Sequence, residues 1–243
     1  MKIESENIPL PVTYFLRLIM TNSLSTLSKV DTPPSMQEIA FQAIKQAIIR
    51  KELLPGTIYS EQAVAKEMGM SKTPVHQALL DLENKEFVSL LPRKGFKVNV
   101  LSATNISNMF ELRRALERAV ILKITPRLSA ESIQDLEKIL EDIRQTLDPI
   151  GFQKHDRAFH RYLASLSNNS YFIKALNAVW DLSDWVGASI LHKKGGYNQA
   201  ANEHMAIYEF LAVGNAEKAA AAMERHLVST ELRFLKRLEN NGI

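Results

Sequence analysis

Three histidines and one aspartate in the C-terminal half stand where one metal ion could be held between helices. Asp156 and His160 are four residues apart, which on a helix puts both side chains on one face. Phe152, Phe159 and Leu163 flank that face and turn it inward. His204 shares a helical face with Ala201, Tyr208 and Leu211, and His226 one with Ala219, Ala222 and Met223. Gly214-Asn215 lies ten residues after His204 and eleven before His226. A helical hairpin folded there brings both imidazoles to similar height at about 1.5 Å per residue. Three imidazoles and a carboxylate suit a divalent transition metal, Zn²⁺ first and Ni²⁺, Mn²⁺ or Fe²⁺ as alternatives, with positions left open for a ligand oxygen. On spacing alone, an inward histidine is equally well a hydrogen-bonded core residue.

The elements that must position these residues follow from periodicity and its interruptions. Beyond Ser102 strand signals are sparse, and helices are expected near 104–125, 130–147, 150–166, 170–193, 200–213 and 216–239. Pro126, Asp148-Pro149, Ser167-Asn168-Asn169, Gly195-Gly196 and Gly214-Asn215 mark the joints. This half reads as an all-α bundle, with Trp180 and Trp185 as packing residues and His155 and His192 on the surface.

The preceding segment has a different pattern. Ser35 with Glu38 resembles a capping box, and Ile39, Ala43, Ala47 and Ile48 recur at helical spacing. After Leu54-Pro55-Gly56, Ser60 caps a second helix with Ala63, Val64 and Met68 on its apolar side, and Gly69 ends it. A third helix runs from about Thr73 to Lys85, with Pro74 in its first turn and Val75, Ala78, Leu79 and Leu82 inward. Two short helices around a glycine turn form a helix-turn-helix, with small Ala65 allowing close packing. Residues 87–91, the turn Pro92-Arg93-Lys94-Gly95 and residues 96–100 read as a hairpin, the wing of a winged helix-turn-helix. The polar start of the third helix, Ser71, Lys72, Thr73, His76 and Gln77, faces DNA in such a unit. Arg93 and Lys94 at the wing tip, beside Gly95, can approach phosphate or the minor groove.

The sequence thus reads as mainly α, with residues 1–34 an N-terminal extension, 35–101 the winged helix-turn-helix and 102–243 an all-helical domain carrying the candidate metal ligands, to which the family resemblance given below adds effector binding and dimerisation. Composition agrees: 243 residues with 46% hydrophobic and 23% charged side chains are ordinary for two globular domains. Thirty Lys and Arg against 27 Asp and Glu leave a net charge of +3, so the case for nucleic acid rests on local placement. The absence of cysteine excludes disulfides, thiolate metal sites and cysteine nucleophiles, and fits a reducing cytoplasm. Leu10 to Met20 contains Arg17 and is far shorter than the roughly 20 residues of a membrane span. No membrane association or signal peptide is expected.

Leu54-Pro55-Gly56, Met70-Ser71-Lys72-Thr73-Pro74-Val75, Leu79, Leu82-Glu83 and Pro92-Arg93-Lys94-Gly95 together resemble the GntR family of bacterial transcription regulators. Members usually carry Arg where this chain has Gln62, Lys72 and His76, and those positions contact operator phosphates and guanines. The resemblance therefore adds Gln62 to the DNA-facing set and implies an altered operator, because Lys lacks the guanidinium fork and neutral His or Gln cannot match Arg at guanine. Asp156-x-x-Phe159-His160, Glu203-His204 and Met223-Glu224-Arg225-His226-Leu227 are similar to the all-helical FCD ligand-sensing domain of the FadR-type branch, in which the one Asp and three His bind metal. Glu111 to Glu117 resembles that domain's first helix, where an Arg often reaches the effector. This implies Arg113 as a partner for an effector carboxylate, against a solvated ion pair with Glu117; Arg114 and Arg118 read as surface charges. Asn169 occupies the place of a frequent family asparagine, as pocket residue or helix cap.

The resemblance implies a homodimeric, ligand-responsive regulator of double-stranded operator DNA, not an enzyme, sensing a small carboxylate, with repression the favoured sign. A metal-responsive regulator is the alternative. A DNA-tethered metal hydrolase, in which the site activates water, is the remaining reading, and no partner base shares the inward faces.

Overall fold

The computed structural model describes residues 33–146, 148–190 and 197–241. Residues 1–32 of the extension, Gly195-Gly196 and His192 lie outside them. A winged unit comes first: α1 (Met36–Ile49), β1 (Ile58–Tyr59), α2 (Glu61–Glu67), α3 (Lys72–Asn84), β2 (Val88–Leu91) and β3 (Gly95–Val98). Ser60 caps α2 by accepting from the Ala63 amide, and Gly69, at φ +62°, makes the turn into α3. The buried face of α3 is Val75, Ala78, Leu79 and Leu82, as the periodicity predicts. On α1 the buried face is turned by one residue from the expected one: Ala40, Ile44 and Ile48 are buried, while Ile39 is 40% exposed. Apolar residues occupy both stripes, and packing against α3 selects the one that also buries Lys45.

The sheet has the order β1-β3-β2, antiparallel throughout, with Leu91 opposite Gly95 and Tyr59 opposite Phe96. The hairpin was expected; β1 was not, since two residues after a Pro-Gly break carry no periodicity. β1 also explains Gly95. A Cβ at this position, with φ +108°, would lie 2.0 Å from the Tyr59 carbonyl oxygen, so the glycine is required by strand packing before any approach to DNA.

Beyond it stand α4 (Ala103–Ile124), a 3-10 turn (Thr125–Arg127), α5 (Ala130–Gln145), α6 (Pro149–Leu166), α7 (Ser170–Ile190), α8 (Tyr197–Ala212) and α9 (Ala216–Asn241). Ser102 and Asn105 form a capping box for α4, and Asp148 caps α6 with Pro149 in its first turn. Gly214, at φ +69°, turns α8 back into α9. The bundle buries Phe110, Ile121, Phe159, Ile207 and Leu227 at its centre. None of the described helices is long and apolar enough to cross a membrane.

Helix α7 belongs to both cores. Trp185 stacks on Phe87 of the winged unit at 5.0 Å and 17°. One turn earlier, Asp181 accepts from Lys45 and from Lys85, both at 2.6 Å, and pairs with Arg157 of α6 at 3.0 Å. Burial works against the Asp181 charge, but the bonds from Lys45 and Lys85 outweigh it and hold the carboxyl below its usual range. Gly95→Ala is expected to destabilise the protein by about 2 kcal/mol or more through strain and the clash with Tyr59. Urea denaturation checks this, and wild-type stability would refute the packing role.

Candidate metal centre and DNA-reading face

The four residues singled out by spacing converge. Asp156 and His160 come from α6, His204 from α8 and His226 from α9, and one ligand atom of each lies within 4.8 Å of the others. The imidazole centroids of His204 and His226 are 4.4 Å apart, the closeness that the hairpin at Gly214 predicts. His160 and His226 are 2% exposed and His204 is fully buried. Metal–ligand bonds of about 2.1 Å place the ligands of one ion roughly 3.4–4.2 Å apart, so a modest contraction would close the group around one ion.

The surrounding bonds aim the rings. Nδ1 of His160 bonds Glu117 of α4, and Nδ1 of His226 bonds Glu203 at 2.9 Å, leaving Nε2 of each for the centre. Glu203 is held by Ser229 at 2.7 Å and by both Nη atoms of Arg233 at 3.0 Å. Glu117 also accepts from Arg113 Nε at 2.8 Å and Trp180 Nε1 at 3.1 Å. Carboxylates behind ligating imidazoles fix their tautomer and raise their basicity. Burial opposes the Glu117 charge, and Arg113 and His160 outweigh it, so its carboxyl stays well below the usual range. Glu203 behaves likewise, with bonds from His226 and Arg233 overcoming burial.

Among the described residues, Nε2 of His160 and both ring nitrogens of His204 are buried with no hydrogen-bond partner, although His204 Nε2 lies 3.3 Å from Asp156 Oδ1. Buried polar atoms are ordinarily satisfied; a cation among them would satisfy Nε2 of His160 and one of the two nitrogens of His204. Burial first, then neighbouring charge, lowers His226 to about 3 and also lowers His204, against an ordinary value of 6.5. Both rings are therefore neutral near pH 7, the form that binds metal. The residues fit a divalent transition metal.

Beside this centre is a cavity of about 60 Å³ bordered by Arg113, Asp156, Ser183, His226, Arg233 and Arg237. Arg113 is in place there, but its pair with Glu117 is buried at 3% exposure rather than solvated, and its Nη1 donates to Ser183 at 3.1 Å. Asn169 lies away from the cavity: its Oδ1 accepts from the Tyr171 amide at the start of α7, a capping role. Arg114 pairs with Glu231, and Arg118 with Glu217. His155 is half-buried against Thr146. Sequence reasoning missed Glu117 and Glu203 as supports. The signals available were Glu117 four residues after Arg113, and Glu203 adjoining His204.

On the winged unit, Gln62, Lys72, Thr73, His76, Arg93, Lys94 and Gly95 line one open cleft of about 680 Å³ between α3 and the wing. Ser71 is exposed at the N-cap of α3, its side chain making no capping bond. Glu61 was not foreseen: it lies in the same cleft, 3.4 Å from Lys72 Nζ and 3.3 Å from His76 Nδ1. Any anion approaching Lys72 or His76 must compete with this carboxylate.

Residues 36–98 match the sequence profile of the bacterial regulatory proteins of the gntR family, and residues 108–229 match the FCD domain. The chain belongs to the GntR family of transcriptional regulators, with an FCD domain. An HTH-type transcriptional regulator in the ttuE-ttuC' intergenic region of Agrobacterium vitis is 33% identical over 132 residues, 52% of this regulator and 77% of that one. The HTH-type transcriptional repressor RspR of Escherichia coli K12 is 22% identical over 210 residues, covering 84% and 92%. A solved GntR transcriptional regulator from Rhodococcus sp. RHA1 shares the fold with a TM-score of 0.70 at 22% identity, over 84% of this chain and 99% of that one. Members of this family bind operator DNA.

Adding zinc at a thousandfold excess over its Kd should stabilise the regulator by about 4 kcal/mol, with one ion per chain by elemental analysis and none in His204→Ala. The metal-free protein should melt lower as the pH falls from about 7.5 to about 5. His204 and His226 resist protonation in the fold while the unfolded chain takes up protons near 6.5, so stability present above that pH is lost below it. A flat melting temperature across this range would contradict the burial of neutral imidazoles.

Proposed function

We propose that this regulator is a cytoplasmic homodimeric repressor whose operator affinity is set by a small carboxylate bound beside a metal held by Asp156, His160, His204 and His226. One observation carries the reading: the candidate metal centre and three arginines border the same cavity, and α7 joins that cavity to the winged unit. Ser183, Asp184 and Gly187 of α7 line the cavity, while Asp181 and Trp185 engage Lys45, Lys85 and Phe87. When bound, the ion supplies a Lewis-acid attraction for a carboxylate oxygen. The protein's own part is to orient that group through Arg113, whose guanidinium is already fixed by Glu117 and Ser183. A volume near 60 Å³ favours an acid of few non-hydrogen atoms. A ligand that requires α7 to shift biases the position of the reading head through Asp181, which is the differential interaction an allosteric effect needs. The name of the RspR relative supports repression. Two reading heads, one per protomer, suit an operator with two half-sites.

Three measurements test this on zinc-loaded full-length protein and an operator selected from random DNA. Lys72→Ala, His76→Ala and Arg93→Ala together should weaken binding, each lost phosphate contact flattening the salt dependence by about 0.9 in log–log slope; unchanged affinity would sink the DNA assignment. Small mono- and dicarboxylates should release the operator from wild type but not from Arg113→Lys, while Asp181→Asn should bind the acid and fail to transmit the effect. Switching by chelation alone, with no acid active, would favour a metal-responsive regulator. Turnover of esters abolished by His204→Ala would favour a hydrolase.

A further inference from the structure

A second and larger cavity, about 890 Å³, separates the C-terminal end of α1 from α6. It shares no residue with the DNA-reading cleft, and it adjoins the cavity beside the candidate metal centre through Gln153 and Asp184. Toward it α6 turns a stripe of Ile150, Lys154, Arg157, Ala158 and Arg161, spaced for one helical face. The opposite face of α6 carries Asp156, Phe159 and His160 into the bundle. Across the gap stand Lys45, Ile49, Arg50 and Lys51. Two surfaces of like charge therefore face each other across an open cleft, an arrangement that repels unless an anion sits between them.

The acidic residues at hand do not neutralise it. Asp184 is engaged by Arg157, and Asp148 is turned to its own helix, accepting from the amides of Ile150 and Gly151 at 3.1 and 2.9 Å. Arg157 and Lys45 are spent on Asp181. The side chains of Arg50, Lys51, Lys154 and Arg161 have no ion pair or hydrogen bond among the described residues. Lys51 holds its cation at φ +61°, a backbone conformation that favours glycine or asparagine at a helix end. The walls are not purely charged: Ile49 and Ala158 line them, and Ile150, at the rim, is 81% exposed. Four unspent cations around partly apolar walls match a compact polyanion with an apolar or ring portion, and the volume is that of a small-molecule site. A gap walled on two sides by helices fits a duplex backbone less well than a small ligand.

We propose that this cleft binds a phosphorylated metabolite of nucleotide size, a second effector distinct from the carboxylate at the metal cavity, which draws α1 and α6 together. The inference does not rest on the metal reading.

Calorimetric titration of zinc-loaded full-length protein with ADP, with adenosine as the uncharged control, tests it. ADP should bind saturably and adenosine about tenfold more weakly or less. Combined Arg50→Gln, Lys154→Gln and Arg161→Gln, all exposed positions, should lower ADP affinity at least about tenfold with an unchanged circular dichroism spectrum, while Asp156→Asn keeps wild-type affinity. No saturable ADP binding at millimolar concentration, or wild-type affinity in the triple variant, overturns the proposal. So does binding lost only in Asp156→Asn, which would put ADP on the metal. Loss of operator affinity in the triple variant without ADP binding would make the cleft a DNA-backbone track instead, and also overturns it.

Discussion

Placing three imidazoles at the centre of an apolar bundle constrains everything around them. Each ring must be desolvated, and an unbonded ring nitrogen in such surroundings costs free energy on the scale of a lost hydrogen bond, about 1–3 kcal/mol. The bundle meets this from outside with Glu117 behind His160 and Glu203 behind His226. Those carboxylates, themselves buried or half-buried, need cations, and Arg113 and Arg233 supply them. A chain of alternating charge thus runs outward from the carboxylates behind the imidazoles to the cavity that both arginines border. The inner nitrogens remain for an ion, so the ligand geometry and the shape of the adjoining cavity have one cause.

A second buried carboxylate organises the join between the two halves. Asp181 gathers Lys45 and Lys85 from the winged unit and Arg157 from α6. Arg157 directly follows Asp156 in the chain, so a displacement of α6 at the candidate metal centre moves a member of this node. Buried ion clusters of this kind need not add net stability; here three cations share one carboxylate, so the winged unit and α6 are tied to the same point on α7.

The four convergent residues were legible because helical spacing and a single Gly-Asn turn are local quantities, and so were the helix boundaries marked by Ser60, Asp148 and Gly214. What escaped depends on partners far apart in sequence. Glu117 meets His160 across 43 residues, and Lys45 meets Asp181 across 136; no periodicity reports such pairs. The rotated face of α1 has the same origin, since two apolar stripes tie locally and a distant aspartate helps decide between them. Arg113 was placed by family resemblance, yet its burial beside Glu117 could be seen only in three dimensions. Glu61 inside the reading cleft likewise needed the fold, because on the page it is one acidic residue in the first turn of α2.

Trp185 gives the architecture a modular cost. Reading heads and sensors are natural units to exchange between regulators, and residues 99–102 look like the obvious place to cut. Here the winged unit borrows an indole from the helical half to cover Phe87. A head grafted onto a foreign sensor would expose that ring to water unless the new partner presents an aromatic side chain at the same height on its own bridging helix. Chimeras built from this chain must therefore be matched across residues 87 and 185, and splicing compatible linkers is not enough.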